Sequence, residues 1–151
     1  MNQQSSRKTA LADADLLAGE LRALAGKLKR RLREQADVGD LTPSQRSVLL
    51  RLEKDGPATA STLARMESMR PQSMGPIIAA LESAGLVRGS PHPTDGRQTI
   101  LSMTDACRTW LAEGRAARQD WLSRTITARL SPAEQQQLAS AITLLRRLVD
   151  D

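Results

Sequence analysis

The feature that most constrains this fold is a change of period at Gly85. Upstream, Met74, Ile77, Ile78 and Leu81 recur at i, i+3, i+4 and i+7, the one-sided stripe of an amphipathic helix beginning at Pro71. Gly85 ends it, and Leu86 follows where a Schellman-type cap wants an apolar contact onto the last turn. Downstream, Leu86-Val87-Arg88 and Thr99-Ile100-Leu101-Ser102-Met103 read as two short strands. Between them, Ser90-Pro91-His92-Pro93-Thr94-Asp95-Gly96-Arg97 is turn chemistry, so the strands form a hairpin with a long tip.

Helices flank this junction on both sides. Residues 1–10 are polar and aperiodic and read as a flexible arm. Leu17, Leu21, Leu24, Leu28 and Leu32 step at helical spacing, placing a long first helix at about residues 11 to 35. Thr42-Pro43-Ser44-Gln45 is a capping box opening a second helix, with Val48, Leu49 and Leu52 on one face and Gly56-Pro57 as its stop. Thr59 can cap a short third helix through Met66, with Leu63 and Met66 inward, and Glu67 to Arg70 form a brief turn. Two helices and a tight turn leading into the Pro71 helix make a helix-turn-helix unit. After the hairpin, Thr104 caps a fifth helix to about Arg129, and Ser131-Pro132-Ala133-Glu134 opens a sixth with Leu138, Ile142, Leu145 and Val149 in register.

The expected class is mainly α, in the α+β sense. The first and last helices are terminal and carry aliphatic stripes, while a fifth helix of about 26 residues would run nearly 40 Å. A small reading head needs no such extensions, so they are expected to pack between subunits of a homodimer. The expected organisation is an arm at 1–10, a dimerisation helix at 11–42, a helix-turn-helix region with its hairpin at 43–103 and dimerisation helices at 104–151.

Charge and composition narrow the function. The 151 residues suit one domain and carry a formal charge of +5, which favours a polyanionic partner. With no Phe, no Tyr and two Trp, a surface that stacks unpaired bases can hardly be built. One Cys and one His exclude an intramolecular disulfide and a Cys/His zinc cage, so no metal and no cofactor are expected. Catalysis is disfavoured as well: His92 lies between prolines, Asp13 and Asp15 point to different helix faces, and no Gly-rich phosphate loop appears. The longest apolar run, Ile77 to Leu81, is far short of the roughly 20 residues that span a bilayer. The N-terminus lacks the apolar core of a secretory signal, so a cytoplasmic, reduced protein is expected.

The candidate site is the outward start of the Pro71 helix and the hairpin tip. Gln72, Ser73, Gly75 and Pro76 are slim or amide-bearing, which suits entry into a major groove, where Gln can pair bidentately with adenine. Arg70 is a poor N-cap and, with the first-turn amides, makes a phosphate-binding corner. On the tip, His92, Thr94, Asp95 and Arg97 project, with Arg97 suited to a narrow minor groove and Asp95 placed to hold Arg97 extended by a charge-assisted contact. The run Arg22, Lys27, Lys29, Arg30, Arg31, Arg33 reads either as a solvated helix face or as a surface that feels phosphate.

The helix succession, Arg70-Pro71-Gln72-Ser73-Met74-Gly75, Leu81-Glu82-Ser83-Ala84-Gly85-Leu86-Val87, and the tip Pro93-Thr94-Asp95-Gly96-Arg97 closed by Leu101 and Thr104 resemble the MarR family of winged-helix transcriptional regulators over residues 11–150. The resemblance implies a winged helix-turn-helix homodimer with a recognition helix in the major groove and a wing in the minor groove. It places Gln72, Ser73 and Met74 on major-groove positions and Asp95 and Arg97 on the wing pair. It further implies a sequence-specific regulator of double-stranded DNA, expected to repress from a pseudo-palindromic operator and to be released by a small aromatic or anionic effector. Trp110, Trp121 and Arg46 are the nominated lining residues, although core packing also explains both Trp. The alternative is a helical protein-interaction adaptor without DNA contact. Three departures stand out: Pro76 inside the recognition helix, Cys107 where the family commonly has Gly, and no Cys or His/Cys cluster where redox- or metal-sensing relatives carry theirs. Cys107 reads as a small buried residue or as a thiol acidified by the helix dipole.

Overall fold

A computed structural model describes residues 2–36 and 39–150, with side chains from residue 13 onward. The order is α1 (Asn2–Glu34), α2 (Pro43–Asp55), β1 (Ala58–Thr59), α3 (Ala60–Met66), α4 (Pro71–Ser83), β2 (Val87–Pro91), β3 (Thr99–Met103), α5 (Asp105–Arg129) and α6 (Pro132–Val149). Local chemistry accounts for the starts of α2, α3, α5 and α6. Thr42 accepts the Gln45 amide while the Gln45 side chain accepts the Thr42 amide, and Ser131 with Glu134 repeats the arrangement at α6. Thr59 caps α3 by accepting from Thr62, and the Thr104 hydroxyl caps α5 by accepting the Cys107 amide at 3.1 Å.

At the end of α4, Gly85 has φ +73° and the Leu86 amide returns to the Leu81 carbonyl at 3.0 Å, the long bond of a Schellman motif. Leu86 packs against the core, as that motif requires. Here the chain turns into the hairpin, and the Thr104 amide donates to the Leu86 carbonyl at 3.1 Å where the hairpin returns.

The sheet has the order β1-β3-β2 and is antiparallel throughout. β2 and β3 pair from Val87↔Met103 to Pro91↔Thr99, so the strand reaches further toward the tip than Leu86-Val87-Arg88 alone. Pro91 is tolerated because β2 is an edge strand. β1 went unread in the sequence: two residues carry no period, and Ala58↔Leu101 and Thr59↔Ile100 exist only because β3 lies alongside.

The chain divides into two compact units, residues 1–37 with 116–151, and residues 38–115. The central unit holds every fully buried hydrophobic among the described residues: Val48, Leu49 and Leu52 of α2, Leu63 and Ala64 of α3, Met74, Ile78 and Leu81 of α4, Val87, Leu101 and Met103 of the sheet, and Cys107 of α5. Burying a leucine such as Leu81 stabilises by about 2 kcal/mol. Met66, expected inward with Leu63, is only half-buried. Trp110 and Leu111 of α5 pack on this core too, so the central unit extends past the expected boundary at residue 103.

The terminal unit is different. α1 begins at Asn2 rather than near residue 11, so residues 2–10, read above as an arm, are helical. α6 buries no residue fully, and large apolar side chains stay open: Leu17 is 64% exposed, Leu148 71% and Val149 78%. Within this unit, the Arg31 guanidinium lies 5.7 Å from the Trp121 ring centroid, a cation–π contact.

Candidate nucleic-acid interface

The presenting helix is built from two opposed faces. Met74, Ile78 and Leu81 anchor α4 to the core, which leaves Gln72, Ser73, Gly75, Pro76, Ala79 and Ala80 exposed. Pro76 sits inside α4 and supplies no amide for the Gln72 carbonyl. Because that face is exposed, water can satisfy the carbonyl, and the helix continues to Ser83.

Met74 corrects the major-groove assignment. Its side chain is 0% exposed, locked in phase with Ile78 and Leu81, so it cannot reach a base edge. Gln72 and Ser73 remain outward, as the stripe requires. Arg70 is the N-cap residue, exposed, and makes no side-chain capping bond; its carbonyl receives the Ser73 amide at 3.0 Å. Pro71 supplies no amide and the Ser73 amide is engaged, so the first turn of α4 offers fewer free donors than an ordinary helix start.

The approach to α4 depends on residues that sequence reading did not single out. The α3–α4 turn passes through Ser68, at φ +54° the one non-glycine residue with positive φ among the described residues. It sits where a Schellman turn favours glycine: the Met69 amide donates to the Ala64 carbonyl at 2.8 Å, spanning it. Glu67, one residue earlier, ties the turn to α2, its carboxylate accepting from the Ser47 hydroxyl at 2.8 Å and from Arg51 Nε at 2.5 Å. The only sequence signal was that Ser47 and Arg51 are four residues apart and share a helix face.

The hairpin tip is a nested set of turns. The His92 amide donates to the Gln98 carbonyl at 3.0 Å, closing the loop, and the Gln98 amide donates to the Asp95 carbonyl at 3.0 Å. Asp95 Oδ1 accepts the Arg97 amide at 3.1 Å, and its Oδ2 accepts from Gln98 Nε2 at 3.3 Å. The charge-assisted contact falls on the main chain: Asp95 holds the backbone of Arg97, and among the described residues no carboxylate pairs with the Arg97 guanidinium. Arg97 and Thr94 are exposed, whereas His92 is half-buried with Nδ1 turned into the tip. An open groove of about 510 Å³, lined by Glu82, Arg88, Ser90, Gln98 and Thr99 among others, separates the end of α4 from the wing.

The effector nominees fall in both units. Arg46 on α2 and Trp110 on α5 belong to the central unit, where Trp110 packs against the core, while Trp121 lies in the terminal unit against Arg31. Cys107 is fully buried, and burial pushes its thiol above the ordinary value, Glu53 adding to the rise and Arg108 opposing it. The structure selects the small-buried-residue reading over the acidified thiol. Among the described residues no three His, Cys, Asp or Glu side chains cluster to hold a metal ion, and no helix is long and apolar enough to cross a membrane.

A helix anchored by its back, preceded by a tight turn and followed by an arginine-tipped hairpin, defines a winged helix-turn-helix. A MarR family model matches residues 41–99. An HTH-type transcriptional regulator of Mycobacterium tuberculosis is 37% identical over 142 residues, covering 93% of this chain and 99% of that protein. The crystal structure of a transcriptional regulator from Pseudomonas aeruginosa PA01 aligns with a TM-score of 0.74 at 35% identity, over 90% of this chain and 96% of that one. A MepR mutant of S. aureus, crystallised with an oligodeoxyribonucleotide, shares the fold at 19% identity and a TM-score of 0.69, over 89% of this chain and 98% of that one. The chain belongs to the MarR family: it is a transcriptional regulator with a DNA-binding helix-turn-helix, and not an enzyme.

Proposed function

We propose that this protein represses transcription as a homodimer that grips a pseudo-palindromic operator, each protomer placing α4 in a major groove and its wing in the adjacent minor groove. The observation that carries this reading is the joint presentation of Gln72 and Ser73 on the open face of α4 and of an exposed Arg97 on the wing, its guanidinium paired with no carboxylate among the described residues. Gln72 and Ser73 read base edges, Arg70 and Thr94 meet phosphate, and Arg97 enters the minor groove. The MepR mutant of the same fold, bound to an oligodeoxyribonucleotide, supports DNA as the partner.

The homodimer is supported by the open apolar side chains of the terminal helices. Leu16, Leu17, Leu24 and Leu28 of α1 and Ile142, Leu144, Leu145, Leu148 and Val149 of α6 are all exposed in the protomer. A soluble chain rarely leaves so many large apolar groups in water, and a second copy covers them. Two-fold symmetry then sets the recognition helices about one duplex turn apart, which requires a pseudo-palindromic site. The family likeness supports release by a small aromatic or anionic effector, with Arg46, Trp110 and Trp121 as lining candidates.

Sequencing genomic fragments captured by the purified protein yields the operator, and anisotropy titration measures its affinity. Raising salt from about 50 to about 200 mM should cost orders of magnitude in affinity if several phosphates are contacted. A mass from light scattering equal to one protomer, or salt-independent binding, overturns the reading.

A further inference from the structure

The sequence reading set His92 among the DNA contacts, yet its ring is occupied within the tip. Nδ1 of His92 lies 3.2 Å from the Thr94 amide and 3.1 Å from the Asp95 amide. A backbone amide can only donate, so Nδ1 must accept, and the proton of the neutral imidazole sits on Nε2. The Thr94 hydroxyl, 3.3 Å from the same nitrogen, can then donate as well.

The flanking prolines explain why this cap falls where it does. Pro93 has no amide, so the first donors after His92 belong to Thr94 and Asp95. The imidazole nitrogen thereby performs the task an Asx side chain performs in a turn, capping the amides two and three residues on. The effect passes along the tip. His92 fixes the backbone of Asp95, and the Asp95 carboxylate fixes the backbone of Arg97 at 3.1 Å. Gln98, held by Asp95 through its amide and its side chain, closes the loop onto His92.

The geometry points to His92 as a positioning residue for DNA recognition: a neutral imidazole acceptor that presets the wing tip, so that Arg97 meets the duplex without first ordering its loop. This inference rests on the wing reading above, and it removes His92 from the residues that touch DNA. Ordering the tip in advance matters because a loop that must be immobilised on binding gives up affinity.

The test uses the full-length protein and the tightest duplex recovered by selection from a random-sequence library. His92→Ala should weaken binding roughly tenfold, while His92→Asn, whose Oδ1 can accept the same two amides, should restore most of it. Thermal unfolding should be unmoved in both, since the tip lies outside the core. Long-range proton–nitrogen correlation spectra of the free protein at neutral pH should show the His92 proton on Nε2. An Nδ1-protonated ring overturns the inference, as does His92→Asn binding as weakly as His92→Ala, which would mark a direct contact instead. The two levels separate cleanly. Arg97→Ala without effect removes the wing reading itself, whereas a weakened Arg97→Ala beside an unaffected His92→Ala removes only the role of His92.

Discussion

The Asp95 carboxylate accepts the backbone amide of Arg97 at 3.1 Å and leaves the guanidinium of that arginine free of any carboxylate among the described residues. An acid and a base two residues apart thus divide their work: one shapes the loop, the other presents an unpaired guanidinium to the partner. Arg97→Ala should therefore weaken duplex binding across all sequences and lower the salt slope by about one per wing. Asp95→Asn, which retains an oxygen for the amide, should bind as well as the parent or better, and Asp95→Ala should bind worse. A side-chain ion pair would instead make Asp95→Asn as damaging as Asp95→Ala in the anisotropy titration.

Gln72 is exposed on the second position of α4, one turn ahead of Pro76. Replacing it by Ala should relax base preference at one position in each half-site by about 1–3 kcal/mol if the amide pairs bidentately with a base. Repeating the binding-site selection with the variant checks this, an unchanged consensus being the contrary result.

Thr104 joins two elements with one hydroxyl: it accepts the Cys107 amide at 3.1 Å and donates to the Gly85 carbonyl at 2.7 Å, tying the cap of α5 to the end of α4. Thr104→Ala should cost about 1–2 kcal/mol, and Thr104→Ser should recover most of it. Denaturant midpoints at constant slope measure the difference.

Ser68 adopts φ +54° in the turn before α4, a region that costs a side-chain-bearing residue roughly 1 kcal/mol or more. Ser68→Gly should stabilise by up to about 1 kcal/mol, the relief being partly offset by the added freedom of the unfolded chain. Ser68→Val should destabilise, and chemical denaturation distinguishes the two directions.

Cys107 gives the pH prediction. Burial raises its thiol pKa, so the folded chain keeps a proton that the unfolded chain releases at the ordinary thiol value. Its contribution is fully present below that ordinary value and is lost as pH rises toward the raised folded one. Stability of Cys107→Ser should lack this alkaline decline, and iodoacetamide should label the native thiol only as fast as the fold opens.

Much of the fold was legible because its signals are local. The capping boxes at Thr42 and Ser131, the Thr59 and Thr104 caps and the Gly85 stop each depend on residues within a turn of one another, and each is formed as the sequence pattern requires. The candidate site was legible in outline for the same reason: the stripe through Ile78 and Leu81 leaves Gln72 and Ser73 outward. It also places Met74 inward, and the family position assigned to that residue misled because it records helix location, not which side chain the core has claimed.

Sequence alone determined where the capped helices begin, which helix faces are apolar, and that an arginine-bearing loop follows the fourth helix, since short-range periodicity and capping chemistry suffice for those. Tertiary structure decided what is held by residues far apart in the chain. It paired β1 with a strand some forty residues later, brought Glu67 onto Ser47 and Arg51, and set the Thr104 hydroxyl on the Gly85 carbonyl. Such contacts depend on chain closure and side-chain direction, which no one-dimensional pattern encodes.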